Sequence, residues 1–384
     1  MNTRPLIPAL VLAVVPALAH CRALRRRSRE RTARGGLARA LWLACLLATA
    51  PLGAASRDAP FDDAAIVRAD DPAWFKTSFL DLRDDLAEAR AAGKQGLMVL
   101  FSTEGCAYCK AFIERSLKDP AIGARVREHF DTIHLEIFDD AGMKDQQGRS
   151  LPVKDFARRE GAAFSPTLLF YGLDGKRMHR VVGYQSPERF RTVLDYVAGG
   201  HHRTLSYRDY LARQASGPPA AGQPAALVRD PLFDRPPYVL DRRRPAGKPL
   251  LVLFERPGCE ACRDLHADVL SDPEVRTLLA RFQAVQLDAR DATTPVLAPD
   301  GRRLTPLRWA EELGLAHLPA MIFFDEAGRE VLRNDALSYR QRTQRSLQYV
   351  LDKAYLRGIL FQRYSREKSM ERLKAGQRGG ADSN

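Results

Sequence analysis

Four cysteines, arranged in two identical patterns, carry the chemistry that this sequence can perform. Cys106 and Cys109 enclose an Ala-Tyr pair, and Cys259 and Cys262 enclose a Glu-Ala pair. A cysteine at a helix N-terminus has its pKa lowered from about 8.5 into a range of about 3.5–7.5, because the helix dipole stabilises its thiolate. Such a thiolate attacks a disulfide, and the second cysteine then resolves the mixed disulfide. We therefore predict four catalytic cysteines, with Cys106 and Cys259 as nucleophiles and Cys109 and Cys262 as resolving thiols.

The two cysteine pairs are 153 residues apart, and other landmarks repeat at the same interval. That step relates Asp119-Pro120 to Asp272-Pro273, Gly161 to Gly314, Pro166 to Pro319 and Gly175 to Gly328. A single offset shared by so many landmarks indicates an internal duplication. Each copy is long enough to bury its own core, so we expect two domains, each with a two-cysteine site.

Zinc sites also use paired cysteines, and the spacing weighs against them here. Cys109 and Cys259 are 150 positions apart, whereas a zinc ribbon separates its pairs by about 15–20 residues. Each pair also follows a short apolar run, 97–101 or 250–254, which is typical of a buried parallel strand. This placement favours thiol–disulfide exchange, and we predict no metal site. Delivery of Cu(I) held between paired thiolates stays open as an alternative function.

Hydrophobic periodicity predicts the elements that position the cysteines. The first helix is expected over 75–92, with Phe79, Leu82, Leu86 and Ala89 on its buried face. Ser186-Pro187 predicts a helix start, because serine caps helices and proline suits the first helical position. The predicted strands are 97–101, 130–137, 167–171, 180–184, 250–254, 284–287 and 320–324. Further helices are predicted over 110–117, 153–160, 262–270, 306–312 and 339–355.

A proline precedes the third predicted strand of each copy, in Phe164-Ser165-Pro166-Thr167 and His317-Leu318-Pro319-Ala320. With the order strand–helix–strand, hairpin and closing helix, these segments resemble the cis-proline loops of thioredoxin-fold proteins. The resemblance implies an α/β fold with two tandem thioredoxin-like domains, each a central mixed sheet flanked by helices. It also implies that these loops offer their backbone to a substrate beside the cysteines. The implied substrate-binding residues are Tyr108, Ser165, Pro166, Thr167, Leu318 and Pro319.

Further segments narrow the resemblance. Glu104 to Lys110, Asp119-Pro120 and the polar insertion before Phe156-Ala157 most resemble the SoxW-like periplasmic thioredoxins. The resemblance covers residues 72–212 well and residues 247–356 more loosely. We expect a thiol–disulfide oxidoreductase, and we favour reduction or isomerisation of disulfides over their formation.

The two sites depart from thioredoxin itself and from each other. Thioredoxin has a buried aspartate six residues before its first cysteine, where this chain has Leu100 and Leu253. Tyr108 lies inside the first motif and resembles the residues of isomerase-type sites, whereas Glu260 follows Cys259 directly. A neighbouring carboxylate disfavours a thiolate. We therefore predict a higher thiol pKa and a lower reactivity at the second site.

The basic charge lies mostly near the N-terminus. The chain has a net charge of +13, and nine arginines against one glutamate give residues 1–55 a net charge of +8, which leaves +5 for the remainder. The sequence lacks the alternation of aromatic and basic residues that is typical of a nucleic-acid-binding groove, so we do not expect nucleic-acid binding. The apolar run 41–54 after Arg34 and Arg39, ending in small residues, is typical of a secretory signal peptide cleaved after Ala55. A retained membrane anchor facing the periplasm is the alternative.

Export agrees with the distribution of cysteines. Cys21 and Cys45 would leave with the signal, so the mature chain would keep only the two pairs. An oxidising compartment such as the periplasm suits such a protein. The predicted regions are a signal or hydrophobic region 1–55, domain one 72–212, a proline-rich linker 213–246, domain two 247–356 and a charged tail 357–384.

The sequence therefore predicts an exported thiol–disulfide oxidoreductase that acts on disulfide-bearing proteins or small thiols. We expect no organic cofactor, because the redox groups are the disulfides Cys106-Cys109 and Cys259-Cys262. Electrons would come from a partner protein. Besides Cu(I) delivery, two alternatives stay open: a relay in which one domain reduces the other, and a second domain that binds substrate with a nearly inert dithiol.

Overall fold

The two copies of the repeat fold into two four-stranded sheets of the same topology. In both sheets the strands lie side by side in the order second, first, third and fourth along the chain. In each sheet the first two strands are parallel and the following pairs are antiparallel. The computed structural model describes residues 60–162, 164–214 and 226–381. The predicted signal region, 1–55, lies outside these residues.

The first domain follows the predicted order of elements. Its helices are α1 (Leu82–Ala91), α2 (Ala107–Ala111, continued by the π-helical turn Phe112–Leu117), α3 (Pro120–His129), α4 (Val153–Arg159), α5 (Pro187–Ala198) and α6 (Tyr207–Gln214). Its strands are β1 (Gly96–Ser102), β2 (Phe130–Glu136), β3 (Gly142–Lys144), β4 (Ser150–Pro152), β5 (Thr167–Gly172) and β6 (Arg177–Val182). The short β3–β4 hairpin forms the polar insertion.

The second domain repeats this plan. Its strands are β7 (Tyr238–Val239), β8 (Leu250–Glu255), β9 (Gln283–Asp288), β10 (Val296–Leu297), β11 (Arg303–Leu304), β12 (Ala320–Phe324) and β13 (Glu330–Asn334). Its helices are α7 (Glu260–Asp264, continued by the π-helical turn Leu265–Leu270), α8 (Pro273–Leu279), α9 (Pro306–Glu312), α10 (Arg340–Leu351) and α11 (Phe361–Ala381).

A central strand leads to each cysteine pair. Every residue of β1 and of β8 is buried, because helices cover both faces of each sheet. Such strands read as continuous apolar runs rather than as alternating ones. The predicted fold class is confirmed: each domain is a mixed sheet flanked by helices.

The first helix is shorter than predicted. It begins at Leu82, since the Asp81 side chain accepts a hydrogen bond from the Arg83 backbone N–H as its N-cap. Leu80 has a φ of 62°, a left-handed turn that interrupts the helical register before this point. Phe79, which we placed on the buried face, is instead 97% exposed. The placement of Phe79 was therefore wrong.

The predicted proline-rich linker is partly a component of the second domain. Phe233 and Leu240 are buried in its core, and β7 pairs in parallel with β10. Arg242 is also buried, and its backbone N–H donates to the Pro299 carbonyl. Apolar side chains between the prolines thus tie residues 226–246 to the domain. Residues 215–225 lie outside the described part.

The segment predicted as a charged tail is a helix that contacts the first domain. The Phe361 ring at the start of α11 stacks on Phe164 with the ring centroids 4.8 Å apart. One turn further on, Arg366 forms an ion pair with Glu104. An apolar start allows this charged helix to pack against the first domain. None of the described helices is long and apolar enough to cross a membrane.

Candidate active site

The first cysteine pair lies where β1 passes into α2. Cys106 is the N-cap of α2, and its Sγ accepts a hydrogen bond of 3.1 Å from the Cys109 backbone N–H. Gly105 has a φ of +78°, which glycine adopts without steric cost, and this conformation turns the chain from strand to helix. The two sulfurs form a disulfide. The predicted strand-to-helix position of the pair is thus present.

The second pair has the same local geometry but a different exposure. Cys259 caps α7, and its Sγ accepts from the Cys262 backbone N–H at 3.1 Å. These sulfurs also form a disulfide. Cys259 is only 5% exposed, whereas Cys106 is partly exposed. A reagent in solution therefore reaches the first nucleophile more easily than the second.

The proline loops adopt the conformation that the resemblance implied. The Ser165-Pro166 and Leu318-Pro319 peptide bonds are both cis, which confirms the expected cis-proline loops. In the second domain the Cys259 Sγ lies 4.0 Å from the Leu318 carbonyl oxygen, so this loop is beside the cysteines. Ser165 and Thr167 are fully buried. Their roles in substrate binding, and those of Leu318 and Pro319, stay predictions.

Tyr108, inside the first motif, is buried between the two domains. Its hydroxyl donates to the Asp63 carboxylate at 2.8 Å and accepts from the Tyr339 backbone N–H at 2.8 Å. The Arg342 guanidinium lies over its ring, 3.4 Å from the centroid. Burial raises the pKa of Tyr108 well above its usual range, so the phenol stays protonated. Substrate binding by Tyr108 would require these contacts to open.

Asp63, from the chain before the first domain, completes the N-terminus of α10 in the second. Its carboxylate accepts hydrogen bonds from the backbone N–H groups of Gln341 at 3.1 Å and Arg342 at 2.8 Å. The N-cap of α10, Tyr339, makes no side-chain capping bond of its own. A carboxylate here also meets the positive end of the helix dipole. The sequence contains no local signal for this contact.

The first cis-proline loop faces the second domain. The Ser165 carbonyl accepts from the Arg342 Nη2 at 2.8 Å and from the Gln362 Nε2 at 3.3 Å. Both donors are buried. Phe164 belongs to the apolar core of the second domain. The backbone that the resemblance assigned to a substrate is thus occupied by the chain itself.

The second cis-proline loop also contacts the first domain, through His317. The ring of His317 packs against Tyr207 with centroids 5.6 Å apart. Burial, followed by the positive charge of Arg189, lowers the pKa of His317 to about 3. Arg189 and Arg342 are equivalent residues at the 153-residue offset. Arg342 donates to the first proline loop, and the charge of its equivalent Arg189 acts on His317 of the second.

A buried polar pair near the second cysteine pair, Glu255 and His266, was not predicted from the sequence. Glu255, at the end of β8, is 1% exposed, and its Oε2 lies 3.1 Å from the Nε2 of His266, one helical turn after Cys262. The equivalent positions in the first copy are Ser102 and Ile113. Comparing the two copies position by position would have found this difference.

Leu100 and Leu253, which stand where thioredoxin has its buried aspartate, are fully buried or nearly so, as apolar core residues.

The described residues contain no group of three or more histidine, cysteine or acidic side chains that could hold a metal ion. In each disulfide the first sulfur lies at a helix N-terminus. Such an arrangement stabilises a thiolate and can exchange disulfides.

A family model for the thioredoxin-like domain matches the chain twice, over residues 82–198 and 238–350. The chain belongs to the thioredoxin-like domain family and contains two tandem copies of that domain. No curated protein matches the chain.

Solved structures show similarity at a low level. A thioredoxin-fold protein from Helicobacter pylori is 21% identical, with coverage of 32% of this chain and 79% of its own and a TM-score of 0.27. A thioredoxin from Thermus thermophilus is 25% identical over 32% and 93%, with a TM-score of 0.25. A protein disulfide oxidoreductase from Aeropyrum pernix is 12% identical over 73% and 95%, with a TM-score of 0.23. The family assignment therefore depends on the family model.

Proposed function

We propose that this protein is an exported thiol–disulfide oxidoreductase that reduces or isomerises disulfides of proteins or small thiols. The observation that carries the proposal is the geometry of the first pair. Cys106 caps a helix, accepts a hydrogen bond from the Cys109 N–H and remains partly exposed. These features lower the thiol pKa and give a disulfide access to the sulfur.

The reaction begins from the reduced dithiol. The Cys106 thiolate attacks one sulfur of the substrate disulfide, forms a mixed disulfide and releases the other substrate sulfur as a thiolate. Cys109 then loses its proton and attacks the Cys106 Sγ, which breaks the mixed disulfide. The substrate gains two electrons and two protons, and the Cys106-Cys109 disulfide forms.

The return to the dithiol needs a reductant of the same chemical class, a donor protein with its own dithiol. The cysteines are themselves the redox group, so the proposal includes no organic cofactor. The N-terminal charge and apolar pattern supports export to the periplasm, with a retained membrane anchor as the alternative. The resemblance to SoxW-like periplasmic thioredoxins supports the same compartment.

The test follows thiol release from insulin and from oxidised glutathione by the reduced protein. The wild-type chain should reduce at least one of them above the uncatalysed rate, and a Cys106→Ser, Cys259→Ser double variant should reduce neither. Equal rates for the wild-type chain and the double variant would refute the proposal. The double variant keeps both resolving cysteines, so it also controls for non-specific thiol reactions.

A second candidate function applies to the second domain alone. Cys259 is buried, and Glu260 follows it. Both features support a nearly inert dithiol in a domain that binds the substrate. Loss of most activity in Cys106→Ser, with little loss in Cys259→Ser, would support this division. Equal losses would indicate two active sites.

A further inference from the structure

We propose that the second domain restricts the first site to small-molecule disulfides and to disulfides on flexible chains, and that Arg342 is the residue that determines this specificity. This inference rests on the proposed function of Cys106, and it names the substrate class of that site. It follows from the protein surfaces that surround Cys106.

One side of Cys106 is covered by the segment before the first domain. The Val67 backbone N–H approaches the Gly105 carbonyl at 3.4 Å. A Cβ placed on Gly105 would lie 2.8 Å from the Ile66 side chain, so the segment is in direct contact with the motif. The Phe61 ring packs edge-on against Tyr108 with centroids 5.0 Å apart. A docking partner therefore cannot contact this side of the motif without displacing the segment.

The other side is covered by α10, and Arg342 makes the central contacts. Its guanidinium stacks on the Tyr108 ring and donates to the Ser165 carbonyl. Arginine suits this position because its planar group stacks on an aromatic face and directs its donors sideways at the same time. Arg342 is 6% exposed. A single side chain thus holds together the motif, the proline loop and the second domain.

The start of α11 extends the cover. Gln362 donates a second hydrogen bond to the Ser165 carbonyl, and Phe361 stacks on Phe164. The ion pair of Arg366 with Glu104 is exposed and adds little stability by itself. Together with α10, this helix occupies the surface from the proline loop to the residue two positions before Cys106.

The surface area left free around Cys106 determines which substrates can reach it. A specific protein–protein contact buries about 800 Å² on each partner, and the surface around Cys106 that would supply it is already buried against the chain itself. A small disulfide needs only a path to one sulfur, and Cys106 keeps partial exposure. The closed arrangement therefore admits small or flexible disulfides and excludes folded proteins.

Labelling of Cys106 tests access without any requirement for catalysis. The full chain with all other cysteines changed to serine is treated with N-ethylmaleimide and with a maleimide attached to a large polymer, and the ratio of the two rates is measured. We expect Arg342→Ala to lower the ratio of small-reagent to large-reagent rate about tenfold, the effect of about 1.4 kcal/mol of lost closing contacts. An unchanged ratio would overturn the inference.

A matched control comes from the same helix. Arg340 is exposed and pairs with Asp272 inside the second domain, so Arg340→Ala should keep the wild-type ratio. Asp63→Ala loosens the cover from the opposite side and should shift the ratio as Arg342→Ala does. Asp63→Ala keeps the inference testable if Arg342→Ala does not fold. An unchanged ratio in Asp63→Ala would also refute the inference that these segments restrict access to Cys106.

Turnover separates this inference from the proposed function. With Cys259 and Cys262 changed to serine, Arg342→Ala should raise the rate with insulin about tenfold relative to the rate with oxidised glutathione. If the unmodified Arg342 protein reduces neither substrate, the proposed function fails whatever the labelling shows. If it reduces both and Arg342→Ala leaves the relative rates unchanged, the function stands and the specificity role of Arg342 is wrong.

Discussion

Gly183 and Ala336 touch each other, although they occupy the same position in the two repeats. A Cβ built on Gly183 would lie 2.2 Å from the Cβ of Ala336. Contact between equivalent positions is the mark of a two-fold axis, as in an isologous dimer. Arg342 and its equivalent Arg189 each act on the proline loop of the other domain, on Ser165 and His317 respectively. The duplicated domains therefore pack like the two halves of a homodimer.

Because of this contact, the addition of a single methyl group at Gly183 should strongly reduce the free energy of unfolding. Gly183→Ala should destabilise the protein by about 3 kcal/mol, since it adds a clash with Ala336 to the strain of a φ of +81°. Urea unfolding measures the change. Gly200→Ala is the matched control, because Gly200 has a φ of +73° with nothing within 4 Å of a new Cβ. It should lose about 1 kcal/mol, and equal losses in both variants would argue against the axis contact.

The lowered pKa of His317 predicts that the free energy of unfolding falls in acid. Its folded pKa of about 3 is below the ordinary value of 6.5, so between these pH values the unfolded chain binds a proton that the folded chain does not. Stability therefore falls as the pH drops below 6.5, by about 2 kcal/mol at pH 5 from this residue. His179, with a pKa lowered to about 4 chiefly by burial, acts in the same direction.

His317→Asn should make the free energy of unfolding less dependent on pH between 7.5 and 5. Urea titrations of the variant and the wild-type chain at each pH measure this difference. His129→Asn serves as the control, since the His129 ring contacts Gln95 within the first domain. The assignment to His317 would fail if both variants kept the wild-type slope.

The nucleophiles should differ in reactivity. With both resolving cysteines changed to serine, we expect Cys106 to react with iodoacetamide about tenfold faster than Cys259, because Cys259 is buried and has Glu260 beside it. The pH dependence of each rate gives each thiol pKa. A lower thiol pKa for Cys259 than for Cys106 would contradict the ranking.

Asp63 predicts a coupling between the N-terminal segment and α10. Asp63→Ala should cost about 1–2 kcal/mol, because it removes the cap of α10 and the acceptor of the Tyr108 hydroxyl. Asp62→Ala is the neighbouring control, since Asp62 is exposed and its side chain accepts from Ala64 within its own turn. Thermal unfolding of both variants measures the difference, and similar melting temperatures would count against the capping role.

Much of the site could be predicted from short-range patterns. The cysteine spacing, the apolar runs before each pair and the prolines at the 153-residue offset located both sites and the central strands. The resemblance to thioredoxin-fold proteins implied the cis conformation of the two proline loops. Periodicity failed at Phe79, because a left-handed residue interrupted the register. The linker prediction counted prolines and overlooked Phe233 and Leu240, which fill the core of the second domain.

The sequence by itself determined that there are two domains with one dithiol each, since helix caps, buried strands and turns depend on residues a few positions apart. Only the tertiary structure decided that the domains face each other. The contact of Tyr339 with Tyr108 spans 231 positions, and Asp63 caps a helix almost 280 positions away. Such contacts depend on shape and burial rather than on spacing. They surround the Cys106 motif with other parts of the chain, and this adds to the local differences, Tyr108 and Glu260, that the sequence already showed.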